Sequence, residues 1–227
     1  MTQKPYLNLG CGRIILPGPK PGHYGLIDDI TEYALWHNVD RNAEPGVDEV
    51  VDIFRYPFPW ADNSFDGALL AHIAEHIPHP IEFAKFPVHL PEYASPEGMG
   101  QWNDRWRSLG TLQDGWYAFF AELHRVLTPG SIIHVLSPYA WSQGAVTDPT
   151  HTRLITEHTF THSLQPDPRS PFRYEIGALN LELVEPVRFT PTMLFAHLRD
   201  DPEEWIRALQ TRINVAYELY GKLRVIK

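Results

Sequence analysis

Residues 7–12 read Leu-Asn-Leu-Gly-Cys-Gly, a short apolar stretch that runs into two glycines one residue apart. Gly10 and Gly12 carry no Cβ, so a turn through them lets the backbone come within contact distance of a ligand. A second apolar stretch, at 35–40, ends in Asp40, and a carboxylate at this place can accept hydrogen bonds from both hydroxyls of a ribose. The turn and the acid together predict a site for a nucleoside-containing cofactor.

The composition predicts an acidic, soluble protein. The chain has 227 residues, a formal net charge of −9 and a hydrophobic fraction of 43%, which suits one α/β domain with insertions. Its basic residues are scattered, so nucleic acid is not expected as a substrate. No apolar run approaches the roughly 18 to 20 residues of a membrane span, and no signal-peptide pattern is present. We therefore expect a cytoplasmic protein that does not act at a membrane, and its single cysteine excludes an internal disulfide.

Short apolar runs alternate with helical patterns along most of the chain. We expect strands at 5–10, 35–40, 47–53, 64–71, 131–137, 181–189 and 217–227, and helices at 114–127, 156–162 and 202–216. Residues 13–25 contain too much proline and glycine for the helix that normally follows a first strand. Residues 84–113, rich in proline and tryptophan, are assigned to no regular structure. The alternation predicts a mostly parallel sheet between layers of helices, with an antiparallel strand closing one edge.

Five short motifs resemble, in order and spacing, those of the class I S-adenosylmethionine-dependent methyltransferases. They are found at residues 7–12, 38–40, 52–66, 71–77 and 122–130, so that the resemblance covers about residues 5–137. Each motif alone is a weak signal, whereas five in the family's order are specific. The first motif has Asn8 in place of the usual acid and lacks the usual third glycine, as in a small subgroup of these enzymes.

This resemblance implies an α/β fold with a doubly wound, Rossmann-like, seven-stranded and mostly parallel sheet. It implies one domain over residues 1–227, with a lid inserted at about 80–113 beside the active site. The implied cofactor is S-adenosylmethionine, and the implied reaction is transfer of its methyl group. The acidic composition and the aromatic insertion favour a small-molecule acceptor, such as a sugar or metabolite oxygen. The sequence leaves the oligomeric state open.

The resemblance also implies which residues bind the cofactor. They are Asn8, Gly10, Cys11, Gly12, Arg13, Asp40, Asp52, Ile53, Ala71 and His72. Asp40 would hold the ribose, and Asp52 with Ile53 would hold the adenine. Because the loop at 13–25 replaces the first helix, the methionine carboxylate loses the helix N-terminus that would otherwise attract it. Arg13 is our candidate for a substitute partner of that carboxylate.

Histidines are the candidate catalytic groups. His151 follows the expected strand 131–137, at the sheet edge where ligands bind in parallel α/β folds, and it could act as a general base. Asp148 could orient His151, although Asp148 and Pro149 are equally consistent with a purely structural turn. His76, beyond the expected strand 64–71, would also face the transferred methyl group.

His72, Glu75 and His76 spell the H-x-x-E-H pattern of one group of zinc proteases. Two histidines four residues apart on a helix can share a metal ion. The pattern nevertheless coincides with the Glu-His pair of the methyltransferase motif, and the sequence identifies no third ligand. We therefore expect no metal site.

Two other functions remain possible from the sequence. A nicotinamide-dependent oxidoreductase would use the same ribose contact, but it would need a third glycine where Ile15 stands, followed by a helix. A non-catalytic homologue that binds S-adenosylmethionine is the other alternative.

Overall fold

The computed structural model of the protein describes residues 4–17, 35–79, 114–164 and 179–227. The predicted lid at about 80–113 lies outside these residues, as does the greater part of the proline-rich loop at 13–25. Within that loop, residues 13–17 are described and are not helical, as predicted.

The described residues form eight strands and four α-helices. The strands are β1 (Tyr6–Leu9), β2 (Trp36–Asp40), β3 (Glu49–Val50), β4 (Phe65–Ala71), β5 (Leu127–Pro138), β6 (Leu181–Leu183), β7 (Arg188–Pro191) and β8 (Ala216–Val225). The helices are α1 (Gly115–Val126), α2 (Gln143–Thr147), α3 (Glu157–Ser163) and α4 (Pro202–Thr211), and 3₁₀ turns occupy Ala74–His76 and Met193–Asp200.

All eight strands belong to one sheet, in the order β3-β2-β1-β4-β5-β8-β6, with β7 also paired to β8. The strands from β3 to β5 are parallel, whereas β8 is antiparallel to β5, β6 and β7. The chain therefore has the predicted mostly parallel, Rossmann-like α/β fold. The closing strand is indeed antiparallel, but it lies inside the sheet instead of at its edge.

The expected strand 181–189 is interrupted. β6 pairs Leu181 with Val225, and β7 pairs Arg188 with Tyr220, so both lie along the free side of β8. From the β6 pairs to the β7 pairs, the register against β8 shifts by two residues. The residues that connect β6 to β7 therefore bulge out of the ladder. The sheet consequently has the seven predicted positions, one of which is shared by two short strands.

Alternating side chains divide the core between the two faces of the sheet. On one face, Leu7 and Leu9 of β1 pack in a large cluster with Phe119, Phe120 and Leu123 of α1. The second face carries a smaller cluster, which consists of Leu16, Leu69, Leu136 and Tyr220. The loop after β1 thus reaches the second face through Leu16.

Helix α1 confirms the predicted element at 114–127. Its N-cap is Asp114, whose side chain accepts a hydrogen bond from the backbone N–H of Trp116 at 2.8 Å. Helix α4 is shorter than predicted, because the chain leaves it at Thr211 and turns through Asn214 with φ 57°. No helix in the described ranges has both the length and the apolar character needed to cross a membrane.

Candidate active site

The glycine turn after β1 is the first part of the site. Gly10 and Gly12 have φ values of 63° and 51°, a left-handed conformation that glycine adopts without strain. A Cβ on Gly10 would overlap Cδ1 of Ile73 and lie 2.9 Å from its Cγ1, so it would displace the Ile73 side chain. A Cβ on Gly12 would meet no described atom within 4 Å. The Ile73 side chain would therefore have to move to admit a Cβ at Gly10, whereas the described residues leave the space in front of Gly12 open.

Asp40 lies directly against this turn. The backbone N–H of Gly12 donates to Asp40 Oδ2, and that of Asn42 donates to Asp40 Oδ1, both at 2.8 Å. Each carboxylate oxygen can accept a further hydrogen bond, because a carboxylate offers about four acceptor positions. The side chain is only 8% exposed and is thus fixed at the end of β2, next to the turn.

Asn8 lies behind the turn and not beside the open space. Its Nδ2 donates to the backbone oxygen of Ile14 at 2.8 Å and to Oδ1 of Asn38 at 3.0 Å. Asn38 in turn accepts from the N–H of Leu16 and donates to its carbonyl, at 2.8 Å each. Both N–H groups of the Asn8 amide are therefore used within the fold. This geometry gives Asn8 the role of holding the loop that follows Gly12.

The other predicted cofactor residues before β4 differ in exposure. The Arg13 side chain is 87% exposed and forms an ion pair with Glu44 at 3.5 Å. Asp52 is also exposed, and its Oδ2 lies 3.2 Å from Nε of Arg55. Ile53 is buried, and its Cδ1 lies 3.7 Å from where a Cβ on Gly10 would be. An apolar wall thus stands beside an exposed carboxylate on this side of the turn.

Cys11 is buried within the turn. Burial raises the pKa of its thiol to about 11, and the neighbouring Asp40 carboxylate adds to this effect. Because the thiolate is the reactive form, Cys11 is an apolar filler and not a nucleophile.

His72 follows Ala71, the last residue of β4, and has φ 57°. Its backbone N–H donates to the carbonyl of Leu136 at 2.8 Å. The ring lies between two buried carboxylates: Nδ1 is 3.4 Å from Oε1 of Glu75, and Nε2 is 3.1 Å from Oε1 of Glu218. Burial alone would lower the pKa of His72, but Glu218 and Glu75 outweigh it and raise the pKa to about 9. The ring is therefore an imidazolium at neutral pH.

His76 and His151 come together from separate parts of the chain. Their ring centroids are 4.7 Å apart, and the rings are inclined by 75°. Nδ1 of His76 lies 3.2 Å from the backbone oxygen of Thr150, and Nδ1 of His151 lies 3.1 Å from that of Ala145. The predicted catalytic histidines thus share one site at the carboxyl ends of β4 and β5.

Asp148 forms a structural turn and also lies near His151, the two arrangements that the sequence allows. Its Oδ1 accepts hydrogen bonds from the N–H and the hydroxyl of Thr150, at 2.8 and 2.6 Å, which makes a structural turn. These hydrogen bonds lower the pKa of the Asp148 carboxyl. Its Oδ2 lies 3.8 Å from Nε2 of His151, close enough for charge attraction but too far for a hydrogen bond.

Sequence reasoning missed Glu218 as a residue of this site. It lies on β8, is 4% exposed, and precedes Leu219 of the core, whereas its other neighbour, Tyr217, is exposed. Residues 216–220 read Ala-Tyr-Glu-Leu-Tyr, and a carboxylate among apolar and aromatic residues of a strand suggests a paired buried charge. Its partner, His72, could not be identified without knowing that β8 lies beside β5.

Comparisons with known proteins add information about the fold. No family model matches the chain, and no curated protein matches it. Among solved structures, it is similar to a SAM-dependent methyltransferase from Archaeoglobus fulgidus, with a TM-score of 0.54, 15% identity, and coverage of 98% of this chain and 86% of that one.

Two further structures show weaker similarity. The YcgJ protein of Bacillus subtilis has a TM-score of 0.48 at 13% identity, with coverage of 99% of this chain and 93% of that one. A SAM-dependent methyltransferase from Mesorhizobium loti has a TM-score of 0.42 at 12% identity, with coverage of 98% and 91%. At 15% identity, the similarity to the Archaeoglobus fulgidus structure shows a shared fold and does not by itself assign an activity.

Proposed function

We propose that this chain is a single-domain enzyme that transfers a methyl group from S-adenosylmethionine to a small-molecule acceptor. The observation that carries the proposal is the hydrogen bond between Gly12 N–H and Asp40. It joins a left-handed glycine turn to a strand-end carboxylate, at the carboxyl edge of a mostly parallel sheet where nucleoside cofactors bind. The fold shared with the Archaeoglobus fulgidus enzyme, which is S-adenosylmethionine-dependent by its description, supports the same cofactor here.

In this proposal the cofactor lies across the glycine turn. Gly12 leaves open the space that the ribose and methionine parts of the cofactor need. The Asp40 carboxylate accepts hydrogen bonds from the ribose hydroxyls. Ile53 packs against the adenine, and the exposed Asp52 carboxylate accepts a hydrogen bond from the adenine amino group. Arg13 would exchange its ion pair with Glu44 for one with the methionine carboxylate. Such an exchange costs little because the present pair is exposed.

The reaction requires little from the protein beyond alignment. A nucleophilic atom of the acceptor attacks the methyl carbon of the sulfonium, the new bond to carbon forms, and the bond from sulfur to that carbon breaks. Sulfur keeps the bonding electron pair and becomes the neutral thioether of S-adenosylhomocysteine. If the nucleophile is a hydroxyl group, its proton must pass to a base or to water.

The acceptor would lie beside His76 and His151. These two histidines pair at the carboxyl ends of β4 and β5, and Asp148 is close enough to orient His151. His72 is not a base at neutral pH, since two carboxylates keep it protonated. A compact acceptor with a hydroxyl group, such as a sugar or a related metabolite, suits a site of this polarity.

The nicotinamide alternative is less well supported. Doubly wound dinucleotide folds place parallel strands in the order 3-2-1-4-5-6, whereas here the antiparallel β8 separates β5 from β6. In addition, Ile15 stands at the third glycine position, and the described residues after Gly12 are not helical.

Calorimetry with S-adenosylmethionine, S-adenosylhomocysteine and NAD tests the proposal. We expect both sulfur nucleosides to bind and NAD not to bind. Failure of both sulfur nucleosides would refute the proposal, and binding of NAD alone would support the oxidoreductase instead. Incubating a panel of sugars and hydroxylated metabolites with methyl-labelled S-adenosylmethionine then distinguishes an enzyme from a non-catalytic binding protein.

A further inference from the structure

We propose that Glu75, His76 and His151 form a binding site for a divalent transition-metal cation. One potential ligand atom from each residue lies within 4.8 Å of the corresponding atoms of the other two. A cation that bonds at roughly 2.0 to 2.2 Å would draw these atoms together by small side-chain rotations. The sequence supplied two of these residues through the H-x-x-E-H pattern, and the fold supplies His151 as the third ligand.

The hydrogen bonds of the two histidines leave a free electron pair on each ring. Nδ1 of His151 faces the carbonyl oxygen of Ala145, which can only accept, so Nδ1 carries the proton. Nδ1 of His76 faces the carbonyl oxygen of Thr150 in the same way. The Thr150 hydroxyl is also near this nitrogen, but it donates to Asp148 and can therefore only accept from His76. In the neutral form of each ring, Nε2 is then unprotonated, as in histidines that bind metals and donate their other N–H to a carbonyl.

Glu75 contributes a buried carboxylate that is not fully hydrogen-bonded. It is only 1% exposed, and its Oε2 accepts from the hydroxyl of Ser137 at 3.0 Å. Among the described residues, its Oε1 has no hydrogen-bond partner, and His72 Nδ1 at 3.4 Å is its nearest ion-pair atom. The His72 imidazolium attracts Oε1 without a hydrogen bond, and a cation shared with His76 and His151 would give this buried carboxylate a direct ligand bond.

Backbone hydrogen bonds hold the ligands in position. The carbonyl of Glu75 accepts from the N–H groups of Thr152 and Arg153, at 2.8 and 3.0 Å. The side chains of the same two residues both donate to the carbonyl of Ile77, at 2.9 and 2.7 Å. The segment that carries Glu75 and His76 is thus tied to the segment that carries His151. Ligands supported in this way change little in position when a cation binds.

The ligand types favour a particular class of cation. Two imidazole nitrogens and one carboxylate suit Zn²⁺, Co²⁺ or Fe²⁺, whereas Mg²⁺ and Ca²⁺ prefer oxygen ligands. Three protein ligands would leave at least one coordination position open. Under the proposed function, that position would be available to the acceptor oxygen; the binding of the cation itself does not depend on that function.

A Co²⁺ titration of the full, tag-free chain after removal of metals with a chelator tests the site. We expect one equivalent to bind, with visible absorption bands from the coordinated ion. Binding through Nε2 also leaves both Nδ1 protons in place, so NMR should show two Co²⁺-shifted imidazole N–H signals that disappear in D₂O. The Glu75→Gln, His76→Ala and His151→Ala variants should each weaken binding by at least about tenfold. His124→Gln, in a histidine that bonds to Ile226 outside this cluster, is the matched control and should bind as wild type.

The proposal is overturned if the wild-type chain binds no stoichiometric Co²⁺, or if the three variants bind it as tightly as wild type does. Circular dichroism shows whether each variant is folded. If a variant is not folded, the NMR spectrum of the wild-type protein tests the site instead. Absence of the two shifted imidazole N–H signals from Co²⁺-saturated wild-type protein would reject the two-histidine site. A parallel titration with S-adenosylhomocysteine, without metal, separates failure of this site from failure of the proposed function.

Discussion

The backbone N–H of Gly12 and the carboxylate of Asp40 are joined by a hydrogen bond of 2.8 Å. Asp40 ends β2, and Gly12 lies in the turn that follows the neighbouring parallel strand β1, so this bond fixes the position of the acid relative to the turn. Among the described residues, no atom would meet a Cβ on Gly12 within 4 Å, and the Asp40 carboxylate accepts hydrogen bonds from the backbone N–H groups of Gly12 and Asn42. In the proposed function, this arrangement presents the Asp40 carboxylate to the ribose.

Asp40→Asn should weaken S-adenosylhomocysteine binding by about 10- to 100-fold, because hydrogen bonds to a charged group contribute roughly 1.5 to 3 kcal/mol. Calorimetry measures the change in affinity. Asp62→Asn is a suitable control, since Asp62 is an exposed carboxylate that pairs with Arg125 away from the turn. Equal affinities for the Asp40→Asn protein and wild type would show that the ribose is held elsewhere.

Gly10→Ala and Gly12→Ala should affect different properties. In Gly10→Ala the new Cβ overlaps Ile73 and the left-handed backbone is strained, so we expect a loss of about 2 to 4 kcal/mol in unfolding free energy. Gly12→Ala has only the backbone strain, about 1 to 2 kcal/mol, but its methyl group occupies the space in front of the turn and should abolish cofactor binding. Urea unfolding and calorimetry measure the two effects.

A second substitution checks the proposed cause at Gly10. Adding Ile73→Ala removes the atoms that the new Cβ would overlap, so the double variant should lose less stability than the sum of the two single variants. Strict additivity in urea unfolding would mean that steric overlap is not the source of the Gly10→Ala effect.

Asn38→Ala should destabilise the protein by about 2 to 4 kcal/mol. Its amide is buried and is hydrogen-bonded to Asn8, to Asp48, and to both the N–H and the carbonyl of Leu16, which would be left unpaired. Asn42→Ala changes an exposed side chain and should stay within about 0.5 kcal/mol of wild type. A similar unfolding free energy for both variants would contradict the role assigned to the Asn8–Asn38 pair.

His134 should make stability depend on pH. Burial, with a smaller contribution from Lys222 and Arg188, lowers the pKa of His134 to about 3, and the ring is 1% exposed. In the unfolded chain its pKa is about 6.5, so the unfolded state takes up a proton below that pH while the folded state does not. The stability it contributes is complete above pH 6.5 and is lost as the pH falls towards 3.

The difference between pH 7.5 and 5.5 should be about 1 kcal/mol from this residue alone. His134→Gln keeps a polar group near the hydroxyl of Tyr220, which lies 2.6 Å from Nδ1 of the native ring, but it does not titrate. Urea unfolding of both proteins at the two pH values isolates the effect. Identical pH dependence in the variant would show that the buried ring does not remain neutral.

Elements that depend on local pattern were predictable from the sequence. The turn through Gly10 and Gly12, the acid at Asp40 and the helix ending at Val126 each follow from glycine chemistry or apolar periodicity. The bulge that divides 181–189 was not predictable, because a bulge is decided by pairing with β8 and not by the strand itself. Short elements such as α2 carry too few residues to show a period.

The site was only partly predictable for a related reason. His76 and His151 were singled out separately, but their proximity depends on the parallel pairing of β4 with β5 and on the backbone bonds beyond these strands. Asn8 was assigned to the cofactor because it occupies the position of a family acid. Its amide bonds to Ile14 and Asn38 were not predictable, because they depend on how the loop after Gly12 folds back over β1 and β2.

A crystal structure of the chain with S-adenosylhomocysteine tests the central claim most directly. We expect both ribose hydroxyls within hydrogen-bond distance of the Asp40 carboxylate. We also expect the cofactor to pass over Gly12 and its sulfur to point towards His76 and His151. A ligand bound elsewhere, or one whose ribose lies away from Asp40, would contradict it.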